Sequence, residues 1–134
     1  PQQWKALVGE RLTAHPGVDY HTQLCNTYHS IDTNINITSC QMRSACNQRV
    51  FDIPLSGCFG IHDAQDDVLS LFDTPHQSVV TYRSVDELKE KMDWYAAHPE
   101  KKEAIIARGR SHILANHCYS HRARAIVSLL SHGL

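Results

Sequence analysis

Residues 44–63 read SACNQRVFDIPLSGCFGIHD. A polar cluster, Asn47, Gln48, Arg49 and Asp52, stands immediately before a small-residue turn and an apolar run. Asn47 to Leu55 is a predicted helix with Pro54 at its end, and Gly57 suits the tight turn that follows. Cys58 to His62 is a predicted short interior strand. Charges that precede an interior strand sit at the rim of a core, and rims of cores are where ligands bind.

Outward from that stretch, strands and helices alternate. Residues 2 to 13 carry Trp4, Leu7, Val8 and Leu12 at helical spacing, and Pro16-Gly17 ends that run. Thr22 to Tyr28 is weakly helical. Ser30 to Ile37 alternates as a strand, with Ile31, Thr33, Ile35 and Ile37 on one side and Asp32, Asn34 and Asn36 on the other. Asn34 and Asn36 are assigned structural roles, on an exposed edge or in buried hydrogen bonds that shape the adjoining loop. Asp66 to Phe72 is a short helix and Ser78 to Tyr82 the clearest strand. The clearest helix opens on the capping-box pair Ser84 and Glu87, lines one face with Val85, Leu88, Met92 and Tyr95, and ends before Pro99. Helices over Glu100 to Asn116 and from Tyr119 onward follow, the last with Ile126, Val127 and Leu130 on one side. This order predicts an α/β fold: a Rossmann-like parallel sheet with crossover helices and a helical C-terminal tail.

The 134 residues fit a single domain with one hydrophobic core. Thirteen Lys and Arg against 14 Asp and Glu give a formal net charge of −1, which speaks against a nucleic-acid partner. No apolar run reaches the roughly 18 residues that span a bilayer, and no secretory pattern opens the chain, so no transmembrane segment and a cytoplasmic location are expected. Five scattered cysteines, Cys25, Cys40, Cys46, Cys58 and Cys118, fit reduced thiols better than a disulfide framework.

In open parallel sheets, ligands bind beyond the carboxyl ends of the strands, where loops enter helix N-termini. That places the 38–46 loop and the start of the next helix at the mouth of a site. Asn47 is an N-cap or first-turn residue, and unpaired amides beside it would suit a phosphate. Arg49 and Asp52 are three residues apart on one helix face. They read either as a solvated ion pair or as a phosphate contact and a carboxylate that accepts hydrogen bonds from sugar hydroxyls.

The segment NQRVFDIPLSGCFGIHD, followed by LFDTPHQSVVTYRSVDELKEKMDWYAAHPEKKEAIIARGRSHILANHCYSHR, resembles the C-terminal region of group 1 glycosyltransferases, particularly the branch related to the spore-maturation protein CgeB. Five motifs keep their order and spacing over about two thirds of the chain. The resemblance implies the nucleotide-sugar donor-binding half of a two-domain GT-B glycosyltransferase. It places Asp52 where the family has the Glu that contacts ribose or sugar hydroxyls, puts Asn47 and Arg49 in the N-x-R positions, and makes the loop with Ser39 and Met42 the one that passes the diphosphate. His117, Tyr119 and Arg122 are then docking residues for the last helix. Two departures stand out: Ser44 replaces an acidic residue eight positions before Asp52, and Asp52 is one methylene shorter than Glu.

The same resemblance implies that residues 1–134 are a fragment whose partner, an N-terminal acceptor-binding domain, is missing, so the isolated chain is expected to lack transfer activity. A nucleoside diphosphate sugar is the expected donor substrate, with no obligatory cofactor or metal. The competing readings are a noncatalytic α/β interaction or regulatory domain, and a small metal-binding regulator built on His112, His117, Cys118 and His121. For the latter no second cluster completes a four-ligand set.

Overall fold

The computed structural model describes residues 13, 15–38, 44–72 and 78–132. Its elements run α1 (Leu24–His29), β1 (Asn34–Asn36), α2 (Arg49–Leu55), β2 (Gly60–Asp63), α3 (Asp66–Leu71), β3 (Val80–Tyr82), α4 (Val85–Ala97), α5 (Pro99–Asn116) and α6 (Tyr119–His132). The three strands form one parallel sheet in the order β1-β2-β3. Asn34 pairs with Gly60 and Asn36 with His62, while Ile61 pairs with Val80 and Asp63 with Tyr82. The expected parallel α/β architecture with a helical C-terminal end is therefore present. The helix read over residues 2 to 13 lies outside the described residues, apart from Thr13.

Register divides the sheet into two unlike faces. Phe59, Ile61 and Val80 share a side and are covered by Ile105 of α5, with Leu88, Met92 and Tyr95 of α4 around them. On the other side Asn34, Asn36 and His62 are buried beneath α2. The alternation in Ser30–Ile37 thus has Asn34 and Asn36 inside, whereas Asp32, Ile31, Ile35 and Ile37 are exposed. Hydrogen bonding explains how β1 buries them. Asn34 Nδ2 donates to the carbonyls of Tyr28 (3.3 Å) and Phe59 (3.1 Å), joining α1 to the strand pair. A buried amide is tolerated where its hydrogen bonds are made.

A second cluster joins Val50 of α2, Val68 of α3, Phe72 and Ile113 of α5. α5 therefore serves both clusters, through Ile105 and, about two turns on, Ile113. Its crossing depends on Gly109. A Cβ there would lie 2.4 Å from the Ser78 carbonyl oxygen and 3.1 Å from Pro54 Cβ. Pro54 lies inside the last turn of α2, and Gly57, at φ 79°, makes the turn into β2 as expected.

Local signals account for the helix ends. Ser84 Oγ accepts the Glu87 amide at 3.1 Å, and Glu87 Oε2 accepts the Arg83 amide at 2.7 Å. Lys91 Nζ joins Glu87 Oε1 at 2.6 Å and donates to the Thr81 carbonyl of β3. Pro99 opens α5, where its missing N–H leaves no helical bond unmade. Lys102 is buried along its stem, reaches Asp32 at 2.5 Å, and lies 5.5 Å from the Phe59 ring centre. One expectation is corrected: Val85 is 78% exposed rather than packed on the α4 face; Ile126, Val127 and Leu130 of α6 are exposed as well.

Because the Gly109 obstacle is backbone, it has little room to yield. Gly109→Ala is expected to lower stability by about 1–3 kcal/mol or more, read as a lower urea midpoint with an unchanged slope.

Candidate functional site

The site is built where α2 meets the carboxyl end of β1. Asn36, the last residue of β1, accepts through Oδ1 the Asn47 Nδ2 hydrogen bond at 2.9 Å. Asn47 Oδ1 in turn accepts the Arg49 amide at 3.1 Å. One side chain therefore ties the strand to the start of the helix. The loop is held from β2 as well, since Asp63 Oδ1 accepts the Thr38 amide (3.1 Å) and hydroxyl (2.9 Å) while Oδ2 accepts Gln65 Nε2 (2.8 Å).

This clamp alters the expected phosphate cradle. The Val50 amide donates to the Asn47 carbonyl, and those of Phe51 and Asp52 donate to the Gln48 carbonyl. With Arg49 taken by the Asn47 side chain, every amide from residue 49 to 52 already has a protein acceptor. Asn47 is accordingly a cap and a clamp, as its place before the helix suggested. Ser39 and Met42 lie outside the described residues.

Asp52, in the first turn of α2, is half-buried. Tyr20 Oη donates to Asp52 Oδ1 at 3.2 Å, and Gln48 Nε2 donates to the same phenol oxygen at 2.5 Å. Desolvation pushes the Asp52 carboxyl above its ordinary value, opposed by hydrogen bonds from Tyr20 and Gln48 and by the charge of Arg49. The ion pairs among the described residues are Lys91–Glu87 and Lys102–Asp32, so Arg49 and Asp52 do not form the solvated pair.

Two cavities meet at this carboxylate. One, of about 390 Å³, is lined by Asn47, Arg49 and Asp52 with Tyr28 and Leu24 of α1. The other, of about 370 Å³, takes Phe51, Asp52 and Leu55 from α2, and His117, Tyr119 and Arg122 from the α5–α6 junction. Tyr20 and Gln48 border both. The structure thus brings Asn47, Arg49 and Asp52 together. It adds Tyr20 and Gln48, which the sequence reading left out. Gln48 stands within the polar cluster that drew attention to the helix; Tyr20, about thirty residues away, has no local signal.

The histidines of the C-terminal segment are held by the fold. His112 Nε2 lies 2.7 Å and His117 Nε2 3.2 Å from the Leu71 carbonyl oxygen, and the two nitrogens are 3.0 Å apart. His121 Nδ1 accepts the Cys118 amide at 3.1 Å. Among the described residues no group of three or more His, Cys, Asp or Glu is disposed to hold a metal ion. His117 and Arg122 meet at the α5–α6 junction, but Tyr119 is 90% exposed and contributes little to docking.

The described residues thus place a half-buried carboxylate at the loop-bearing edge of a parallel sheet, with a cavity on either side. Residues 2–128 match the glycosyl transferase-like family, and the chain belongs to it. No curated protein and no solved structure matches the chain.

Beneath the site, His62 is fully buried, and neither ring nitrogen has a hydrogen-bond partner among the described residues. It lies in β2, with its Nε2 2.9 Å from where a Cβ on Gly60 would stand. Burial lowers its pKa from 6.5 to about 4, with Asp63 pulling weakly upward. The fold thus favours the neutral ring, and the unfolded chain takes up the proton first. This contribution to stability is complete above pH 6.5 and is lost as pH falls towards 4. It totals about 3 kcal/mol at 1.36 kcal/mol per pKa unit. His62→Leu should flatten the stability profile across that window, measured by urea unfolding at stepped pH.

Proposed function

We propose that the chain is the donor-binding half of a nucleotide-sugar-dependent GT-B glycosyltransferase, in the branch related to CgeB. The observation that carries this reading is the carboxylate of Asp52: half-buried, at the loop-bearing edge of a parallel sheet, forming a wall of two cavities, and without a cationic partner among the described residues. Its position in the first turn of α2 is the one to which the family resemblance assigns the hydroxyl contact.

Asp52 accepts hydrogen bonds from ribose or sugar hydroxyls, the role Tyr20 Oη fills in the free protein. Its hydroxyl donor sits on an exposed side chain preceding α1, so an incoming ligand hydroxyl exchanges with one hydrogen bond and disturbs no core contact. Asn47 holds the helix that presents Asp52, and Arg49 lines the cavity on the α1 side of the same carboxylate. The resemblance brings the loop with Ser39 and Met42 alongside the donor. The chain's part in transfer is to orient the donor and offset the negative charge that grows on the departing nucleoside diphosphate. The acceptor is presented by a second, acceptor-binding half, and the reaction takes place in the cleft between the halves. No metal or cofactor is required of these residues.

Titration with UDP, GDP and ADP, followed by amide chemical shifts, tests the reading. Shifts should concentrate on α2 and the residues around Asp52. Asp52→Ala should weaken the preferred nucleotide by roughly 10- to 150-fold, the equivalent of the 1.5–3 kcal/mol typical of a hydrogen bond to a charged group, while the unfolding midpoint stays close to that of the natural chain. Undiminished affinity in Asp52→Ala would remove the carboxylate from the site.

A further inference from the structure

One wall of this apolar cavity comes from α2, and the larger, opposite wall from the α5–α6 junction, which the sequence reading gave to helix docking or a metal set. Among the described residues Arg122 is the sole lysine or arginine on that cavity. It is in no ion pair among the described residues, although it sits in the first turn of α6 within reach of the same space as Asp52.

Its guanidinium is positioned from behind. Arg122 Nη2 lies 3.0 Å from His117 Nδ1. An arginine only donates, so that ring nitrogen accepts, and the ring's proton resides on Nε2, which faces the Leu71 carbonyl at 3.2 Å. His117 is thereby a neutral bridge from the end of α3 to Arg122, and its ring is packed 5.6 Å from those of Phe51 and Phe72. One of the five guanidinium donors is used in this contact, leaving others for an anion. The influence of Arg122 also reaches the loop before α2: at Cys46, burial and the Asp67 carboxylate push the thiol up while Arg122 pulls it down. Meanwhile the first-turn amides of α2, the expected phosphate donors, are already occupied.

We propose that Arg122, held by His117, is the anion-binding residue of this site, and that the diphosphate of the donor lies in the cavity between α2 and α6 rather than at the start of α2. This rests on the donor-binding reading for the identity of the ligand, but the cation and the cavity do not. Arg122 grips non-bridging phosphate oxygens by paired N–H donors, and Asp52 on the neighbouring wall takes the hydroxyls of the same molecule.

The test compares the full chain with Arg122→Gln, Arg122→Lys and Arg49→Gln by calorimetric titration with UDP, GDP, ADP, their nucleosides and inorganic pyrophosphate. Arg122→Gln is expected to weaken a diphosphate at least tenfold and to leave its nucleoside unchanged. Arg122→Lys, which keeps the charge without the fork, should fall between and serves if the glutamine variant does not fold. Arg49→Gln should weaken the diphosphate less than Arg122→Gln does. If diphosphates bind the natural chain and Arg122→Gln or, failing its folding, Arg122→Lys leaves that affinity intact, or if only Arg49→Gln weakens it, the assignment to Arg122 is overturned and the donor reading stands. Pyrophosphate binding that is lost in Arg122→Gln, with nucleosides adding nothing to it, keeps Arg122 and overturns the donor reading. No binding of any of these to the natural chain overturns both.

Discussion

The bond between the Asn36 and Asn47 side chains sets the position of everything else in the site. A seven-residue helix has little intrinsic stability of its own. It is held where it is because one amide links it to the last residue of β1 and satisfies its first free N–H, while Val50 and Ile53 sink into the core behind it. Asp52 follows from that placement. On a helix with Val50 and Ile53 inward, residue 52 falls at the margin between core and solvent, which is why its carboxylate is partly desolvated yet reachable.

The polar layer under α2 has a second effect. Asn34, Asn36 and His62 lie side by side on β1 and β2, where a parallel sheet would ordinarily carry branched aliphatic residues. Asn34 is repaid by two carbonyls, and Asn36 by Asn47 at its Oδ1 alone, its Nδ2 having no partner among the described residues. His62 is accommodated by shape: the absent side chain at Gly60 leaves room for its ring beside Ile53. Polar groups of this kind specify register, because shifting a strand by one residue would turn Asn34 and Asn36 away from their partners and bury Ile35 in their place.

Much of this was legible in the sequence, and what was not had physical causes. The order of strands and helices, the Ser84 cap, the Gly57 turn and the helix bearing Asp52 all follow from local rules that act over three or four residues. Alternation in Ser30–Ile37 was equally plain, but periodicity names two faces without saying which one another element covers, and here tertiary hydrogen bonds put the asparagines inside. The site was half visible. Asn47, Arg49 and Asp52 share one short segment, whereas Tyr20 and Arg122 reach it from positions 32 residues before Asp52 and 70 after it, separations that no local pattern reports. The occupied amides of α2 were hidden for the same reason that its cap was visible: a residue able to cap a helix also fills the space an anion would need.

Lys91 shows how one side chain can guard a boundary. Tyr82 turns its carbonyl towards β2, accepting the Ala64 amide, so the Thr81 carbonyl faces away from the sheet, and it is there that the ammonium group binds. Another chain seeking to add a strand along β3 would meet a positive charge and an acceptor already taken. The lysine that steadies the first turns of α4 therefore also discourages aggregation by strand addition on that flank, a safeguard against self-association written into a residue whose sequence context announces only a helical ion pair.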